Sequence, residues 1–149
     1  MPSFPGPVAL VHEWFTPRSV GGSELVVREL DALLAQPQLH ALVDGESNRS
    51  GSWLQGRSIR TSFIQGLPFG VSHVQQYLPL LPLAIEQLDL TDYPLVVSSS
   101  HLVAKGVLTS PDQCHLSYVH TPVRYAWDQM HAYLRHSALA RRGLGPLIR

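Results

Sequence analysis

Short apolar runs, separated by polar or glycine-bearing turns, recur along the chain, as in strands buried on both faces of a sheet. The first is Val8-Ala9-Leu10-Val11, bounded by Pro7 and a polar stretch. Beyond Thr16, Pro17, Arg18, Ser19 and the pair Gly21-Gly22 the period changes. Leu25, Val26, Leu30, Leu33 and Leu34 recur at helical spacing from Ser23, the expected N-cap, and Glu24 suits the positive end of the helix dipole. A second strand, Leu39 to Val43, ends at Asp44 before a polar loop from Gly45 to Gly51, and a third is predicted over Ser58 to Phe63. Pro68, Pro79 and Pro82 break the region from Leu67 to Leu90 into helical pieces, the best of them Leu83 to Leu88. Leu95-Val96-Val97 closes in Ser98-Ser99-Ser100-His101, and Leu116 to Val119 closes in His120-Thr121-Pro122. Tyr125 to Leu134 reads as a helix with Trp127, Met130 and Leu134 on one side. Strands alternating with helices predict an α/β fold: one open, mainly parallel sheet with helices on both faces.

That fold makes a prediction about chemistry. In an open parallel sheet the ligand crevice lies outside the carboxyl ends of the strands. His12 and Glu13 follow the first strand, Asp44 the second, Ser98 to His101 the Leu95 strand, and His120 to Arg124 the Leu116 strand. Polar groups far apart in sequence should therefore meet, with the turns bearing Gly21, His101 and His120 along a single rim.

Composition narrows the class. At 149 residues, with 44% apolar and 15% charged residues, the chain is one ordinary folded domain and lies far from the composition of disorder. Eleven basic and eleven acidic residues cancel, so no overall field favours nucleic acid. The charge is uneven, with nine acids against five bases up to Asp92 and two against six from Tyr93 onward. The carboxyl-terminal part is thus either an anion-facing side or a solvated helix and tail. A lone cysteine, Cys114, fits a reducing cytoplasmic setting, and no secretory start is visible after Met1. The run Leu78 to Ile85, interrupted by Pro79 and Pro82, is too short for a bilayer span. Peripheral contact with the inner face of a membrane stays open, since Leu78-Pro79-Leu80-Leu81-Pro82-Leu83 reads either as an exposed apolar lip or as core. Trp53, Leu54, Phe63 and Leu67 are expected to build core or cover a loop.

Several motifs carry two readings each. Gly21-Gly22-Ser23 could cradle a phosphate on backbone amides at the helix start, or simply form a turn, and its spacing fails the dinucleotide pattern G-x-G-x-x-G. His120, with Arg124 and Trp127 beyond it, could hydrogen-bond a sugar hydroxyl or phosphate; equally, it could be structural, with Arg124 paired to Asp128 one helical turn on. His12 and Glu13 could act as base and orienting acid, or be a structural pair at a strand end. Ser98 to His101 lack the G-x-S-x-G elbow of a nucleophilic serine, and Lys105 is an anion contact or a surface lysine. Eight histidines lack zinc-ligand spacing, and His115 and His120, five apart on a strand, should face opposite sides, so no metal is expected.

Taken in order, Val-His-Glu-Trp-Phe-Thr (11 to 16), Gly-Gly-Ser-Glu (21 to 24), Pro-Leu-Ala-Ile-Glu-Gln-Leu-Asp-Leu (82 to 90), Ser-Ser-Ser-His-Leu-Val-Ala-Lys-Gly-Val (98 to 107) and Tyr-Val-His-Thr-Pro-Val-Arg-Tyr-Ala-Trp-Asp (118 to 128) resemble bacterial family 4 glycosyltransferases, particularly mannosyltransferase-like members. The similarity runs from about Val8 to Leu134. It implies one Rossmann-like half of a GT-B fold, the N-terminal, acceptor-side domain of an enzyme that moves a sugar from a nucleotide-sugar donor to a glycan or lipid-linked acceptor with retention and without a metal or other cofactor. By that resemblance Gly21 and Gly22 approach the donor diphosphate and His120 contacts the donor sugar. His12, Glu13, His101, Lys105 and Arg124 are cleft or acceptor candidates. The second domain of the family carries a paired-glutamate E-x7-E motif that these 149 residues lack, so the chain is expected to be inactive alone. Completion by the missing C-terminal domain, or self-association through the exposed lining of the former cleft, is the corresponding expectation. A non-catalytic Rossmann-like binding or assembly module is the competing expectation, and a nicotinamide-binding oxidoreductase is disfavoured by the absent glycine fingerprint.

Overall fold

The computed structural model describes residues 5–17 and 21–121. The predicted helix from Tyr125 to Leu134 and the candidate Arg124 lie outside them. Five strands, β1 (Val8–Phe15), β2 (Gln38–Asp44), β3 (Ile59–Thr61), β4 (Leu95–Ser100) and β5 (Cys114–Val119), form one all-parallel sheet in the order β3-β2-β1-β4-β5. The fold is a Rossmann-like open α/β sheet. The helix α1 (Gly22–Leu33) returns the chain from β1 to β2, while 3-10 turns at Phe63–Gly66 and Val74–Leu80 and the short helix α2 (Leu81–Glu86) carry it from β3 across to β4 on the other flank of β1.

The alternation of strand side chains divides the core in two. Leu10, Leu39, Ala41, Leu95 and Val97 pack with Val27 of α1, and Leu30 and Leu34 close that layer. Ala9, Val11, Leu42 and Val96 meet Ala84 and Ile85 of α2, with Ile64, Val74 and Leu81. Helices thus cover both faces, as the apolar runs require. On the α1 side, Arg57 reaches Asp31 with two bonds, Nη1 to Oδ2 at 2.9 Å and Nη2 to Oδ1 at 2.8 Å, and also donates to the Pro37 carbonyl. Asp31 is buried, so Arg57→Ala should cost about 2 to 3 kcal/mol by stranding the carboxylate, with Arg57→Lys recovering only part. Urea denaturation of the three proteins checks this.

Several boundaries differ from the sequence reading, each for a physical reason. β1 continues through His12 and Glu13 to Phe15, because both polar side chains find partners inside the fold. Ser98 to Ser100 likewise belong to β4. Ser23 is not the N-cap: the cap lies two residues earlier, at the extended backbone of Gly21, with no side-chain hydrogen bond. β3 is only Ile59–Thr61, since the Ser62 hydroxyl accepts from the Ile64 amide and turns the chain into the 3-10 segment. That turn leaves Phe63 exposed, whereas Leu54 is fully buried and Trp53 and Leu67 pack on the core. α2 begins at Leu81, with Pro82 in its first turn, where proline costs no hydrogen bond. The apolar run before it is split, with Leu81 buried and Leu80 and Leu83 exposed. Among the described residues no helix is long and apolar enough to cross a membrane.

Candidate functional site

The strand order reverses between β1 and β4, one connection leaving to each side, and this is where an open sheet leaves its crevice. A cleft of about 940 Å³ lies there, with His12, Trp14 and Gly21 on one wall, His101 beside them, and the segment from Gln65 to Gln76 opposite. A smaller hollow of about 430 Å³ at Arg60–Phe63 and the end of α2 gathers none of the candidate residues.

His12 is opposite Ser99 in the β1–β4 pairing, and its Nδ1 lies 3.2 Å from the Ser99 carbonyl. A carbonyl only accepts, so Nδ1 carries the proton and Nε2 keeps its lone pair. Burial, above all, holds the His12 pKa down at about 3, and nearby His101 and His120 add to this. The Ser99 hydroxyl is 2.7 Å from His120 Nε2, so one residue joins both histidines. His120 sits just past β5, its amide on the Ser100 carbonyl and its ring 4.9 Å from that of Tyr118. His101 packs edge-on against Trp14 at 5.0 Å, and its Nδ1 is buried without a protein partner. Burial lowers the pKa of both His101 and His120 as well, so all three imidazoles are neutral at pH 7. Three neutral rings offer donors and acceptors without net charge.

Gly21 lines the cleft with an extended backbone that any residue can adopt, and a side chain there or at Gly22 would meet no atom within 4 Å. Local packing therefore does not demand glycine at either position, while bare backbone at the start of α1 leaves space for a ligand to approach. Glu24 lies in the first turn of α1, at the positive end of the helix dipole, and burial raises its pKa.

Two candidates are placed elsewhere. Glu13 is fully buried and does not pair with His12: strand alternation turns it to the other face, where Oε1 accepts from the Ser100 hydroxyl and the Leu102 and Ala104 amides and Oε2 from the Val103 amide. The carboxylate ties down the loop behind His101. Lys105 is exposed in the 3-10 turn Ala104–Gly106 and does not line the cleft. The triple serine is a set of buried anchors. Ser98 bonds His115 and Ser117, Ser99 bonds His120 and Ser100 bonds Glu13, which also sends His115 and His120 to opposite faces. Ser99 is wholly shielded from solvent and so unavailable as a nucleophile. Trp14 and Phe69 were not singled out by the sequence pattern; strict alternation would not have found Trp14, which packs with Ala9 and Val11 rather than with Leu10, because the alternation of β1 shifts after His12. Among the described residues, no three His, Cys, Asp or Glu side chains converge as a metal site.

Compared with known proteins, the chain matches no family model, no curated protein and no solved structure.

Proposed function

We propose that this chain is the acceptor-side domain of a retaining glycosyltransferase, working with a second domain that binds the nucleotide-sugar. The observation that carries the reading is the meeting of Gly21, His12 and His101 in one cleft at the sheet's switch point, with His120 tied to His12 through Ser99. The ordered resemblance of five sequence stretches to family 4 enzymes supports it. In this reading the open backbone at Gly21 and Gly22 faces the donor diphosphate. His120, neutral and oriented by the Ser99 hydroxyl, hydrogen-bonds the transferred sugar, and His12 Nε2 accepts from a substrate hydroxyl. Transfer breaks the bond from the anomeric carbon to the diphosphate and forms one to the acceptor oxygen, whose proton leaves with the phosphate. No carboxylate, lysine or arginine is among the described cleft residues, and in this reading the second domain contributes charge to the departing diphosphate.

The test is reconstitution with a separately expressed nucleotide-sugar-binding domain and labelled sugar-nucleotides as donors. His120→Ala should lower kcat by about a hundredfold, the scale of one preorganised hydrogen bond to a transition state. A folded two-domain complex that transfers no sugar from any donor sinks the reading. Activity indifferent to His120→Ala would instead favour a non-catalytic binding or assembly module.

A further inference from the structure

The wall of the cleft opposite His12 has a chemistry of its own. Residues 61–85 contain no Asp, Glu, Lys or Arg. Within them Phe69 lines the cleft, is 74% exposed, and has a left-handed backbone with φ of 56°. A bulky residue in that region is strained, and an exposed ring returns no burial to offset the strain. Nothing in the core needs this side chain. The fold nevertheless fixes it. Gln65 clamps the segment to the end of β2 by accepting from the Asp44 amide at 2.7 Å and donating to its carbonyl at 3.0 Å. The Tyr77 hydroxyl donates to the Pro68 carbonyl at 2.7 Å. A Cβ on Gly70 would collide with the Ile64 carbonyl, so the chain must fold back tightly just after Phe69. The His73 ring stands perpendicular to that of Phe69 at 5.9 Å, its Nδ1 held by the Ser72 hydroxyl at 2.9 Å, which leaves Nε2 for a ligand. Gln75 and Gln76 line the same wall and are exposed.

We infer that Phe69 is the stacking platform of a subsite for an uncharged pyranose ring, whose hydroxyls are met by His73 Nε2 and the amides of Gln75 and Gln76. An aromatic face beside neutral hydrogen-bonding groups matches a sugar with one apolar face and a polar rim, and among the described residues of the cleft there is no cation of the kind that a uronic acid or phosphorylated sugar would require. This deepens the glycosyltransferase reading and rests on it for the role of the sugar as acceptor.

Saturation-transfer NMR on the full chain, with methyl α-mannopyranoside, methyl β-glucopyranoside, methyl β-galactopyranoside and glucuronic acid, tests it. At least one neutral glycoside should bind and glucuronic acid should not. Phe69→Ala should weaken the binding by about tenfold, Phe69→Trp should keep it, and the control Phe63→Ala should leave it unchanged. Phe69→Gly distinguishes a ligand platform from a structural residue: it should abolish binding while leaving the denaturation midpoint equal or higher, because the strain is relieved. Binding that survives Phe69→Ala, binding of the uronic acid alone, absence of any sugar binding, or a lower midpoint for Phe69→Gly each overturns the proposal. The two readings fail separately. Sugar binding lost in Phe69→Ala without transfer from any nucleotide-sugar by the two-domain complex retires the enzyme and keeps the subsite. Transfer with an acceptor KM unmoved by Phe69→Ala retires the subsite and keeps the enzyme.

Discussion

Glu13→Ala is expected to destabilise the domain by about 4 kcal/mol, and to lower Tm by roughly 10 °C, because it strands buried donors that no other group can reach. The Leu102, Val103 and Ala104 amides lie 2.8 to 3.1 Å from its carboxylate, and the Ser100 hydroxyl lies at 3.0 Å. All four come from the chain some ninety residues later, so the interaction welds the middle of β1 to the exit of β4. Glu13→Gln should cost about half as much: an amide oxygen in the place of Oε1 keeps three of the bonds, but its NH2 group then faces the Val103 amide, donor against donor. Guanidinium denaturation of the three proteins gives the order. A Glu13→Ala protein as stable as the parent would show that the loop holds itself without the carboxylate. Because His101 opens that loop, the Gln variant, if folded, should also weaken ligand binding in the cleft.

The second large effect is with pH. His12 titrates at about 3 in the folded chain against 6.5 unfolded, so the unfolded chain takes up its proton first as the solution is acidified. Its contribution to stability is complete above pH 6.5 and is lost progressively between 6.5 and 3. At pH 5 that loss amounts to about 2 kcal/mol, and in full to about 4 to 5 kcal/mol. His40, lowered to about 4 chiefly by burial, acts in the same direction over a slightly narrower window. Denaturation midpoints at pH 7 and pH 5 separate these histidines from most carboxylate titration. His12→Asn, which can still donate to the Ser99 carbonyl but does not titrate, should remove the share of His12 from the profile and leave that of His40 and the other buried histidines. An unchanged slope in that variant would mean that water reaches the buried imidazole and relieves its burial.

Both predictions concern residues whose significance is only partly visible in the linear sequence. The apolar runs at Val8–Val11, Leu39–Val43 and Leu95–Val97 specify buried parallel strands, because only a sheet covered on both faces leaves no polar alternation. The glycine pair and the helical period after it specify a crossover. From these alone follow the layer order of the fold and the edge on which ligands gather, and hence the meeting of Gly21 and His101 in one cleft, whereas His120 is not among its described lining residues and is joined to His12 only through Ser99. The roles of the polar residues inside those strands do not follow. A histidine and a glutamate after Val11 read as the end of a strand, since local pattern counts a charged residue as exposed. Glu13 is instead buried by donors 87 to 91 positions away, and Ser99 becomes the link between two histidines only when β1, β4 and β5 lie side by side.

The segment from Gln65 to Gln76 marks the same boundary from the other direction. Its prolines and glycines announce broken helix, but the direction in which it breaks is fixed by Gln65 on the β2 backbone and by the close approach of Gly70 to Ile64. Sequence by itself therefore determined the sheet, its two covered faces and the rim where chemistry can occur, because burial periodicity is a local property. Tertiary structure alone decided which side chains reach the cleft and which are consumed in holding it, because a hydrogen bond from a buried group is satisfied by whatever donor the fold brings near.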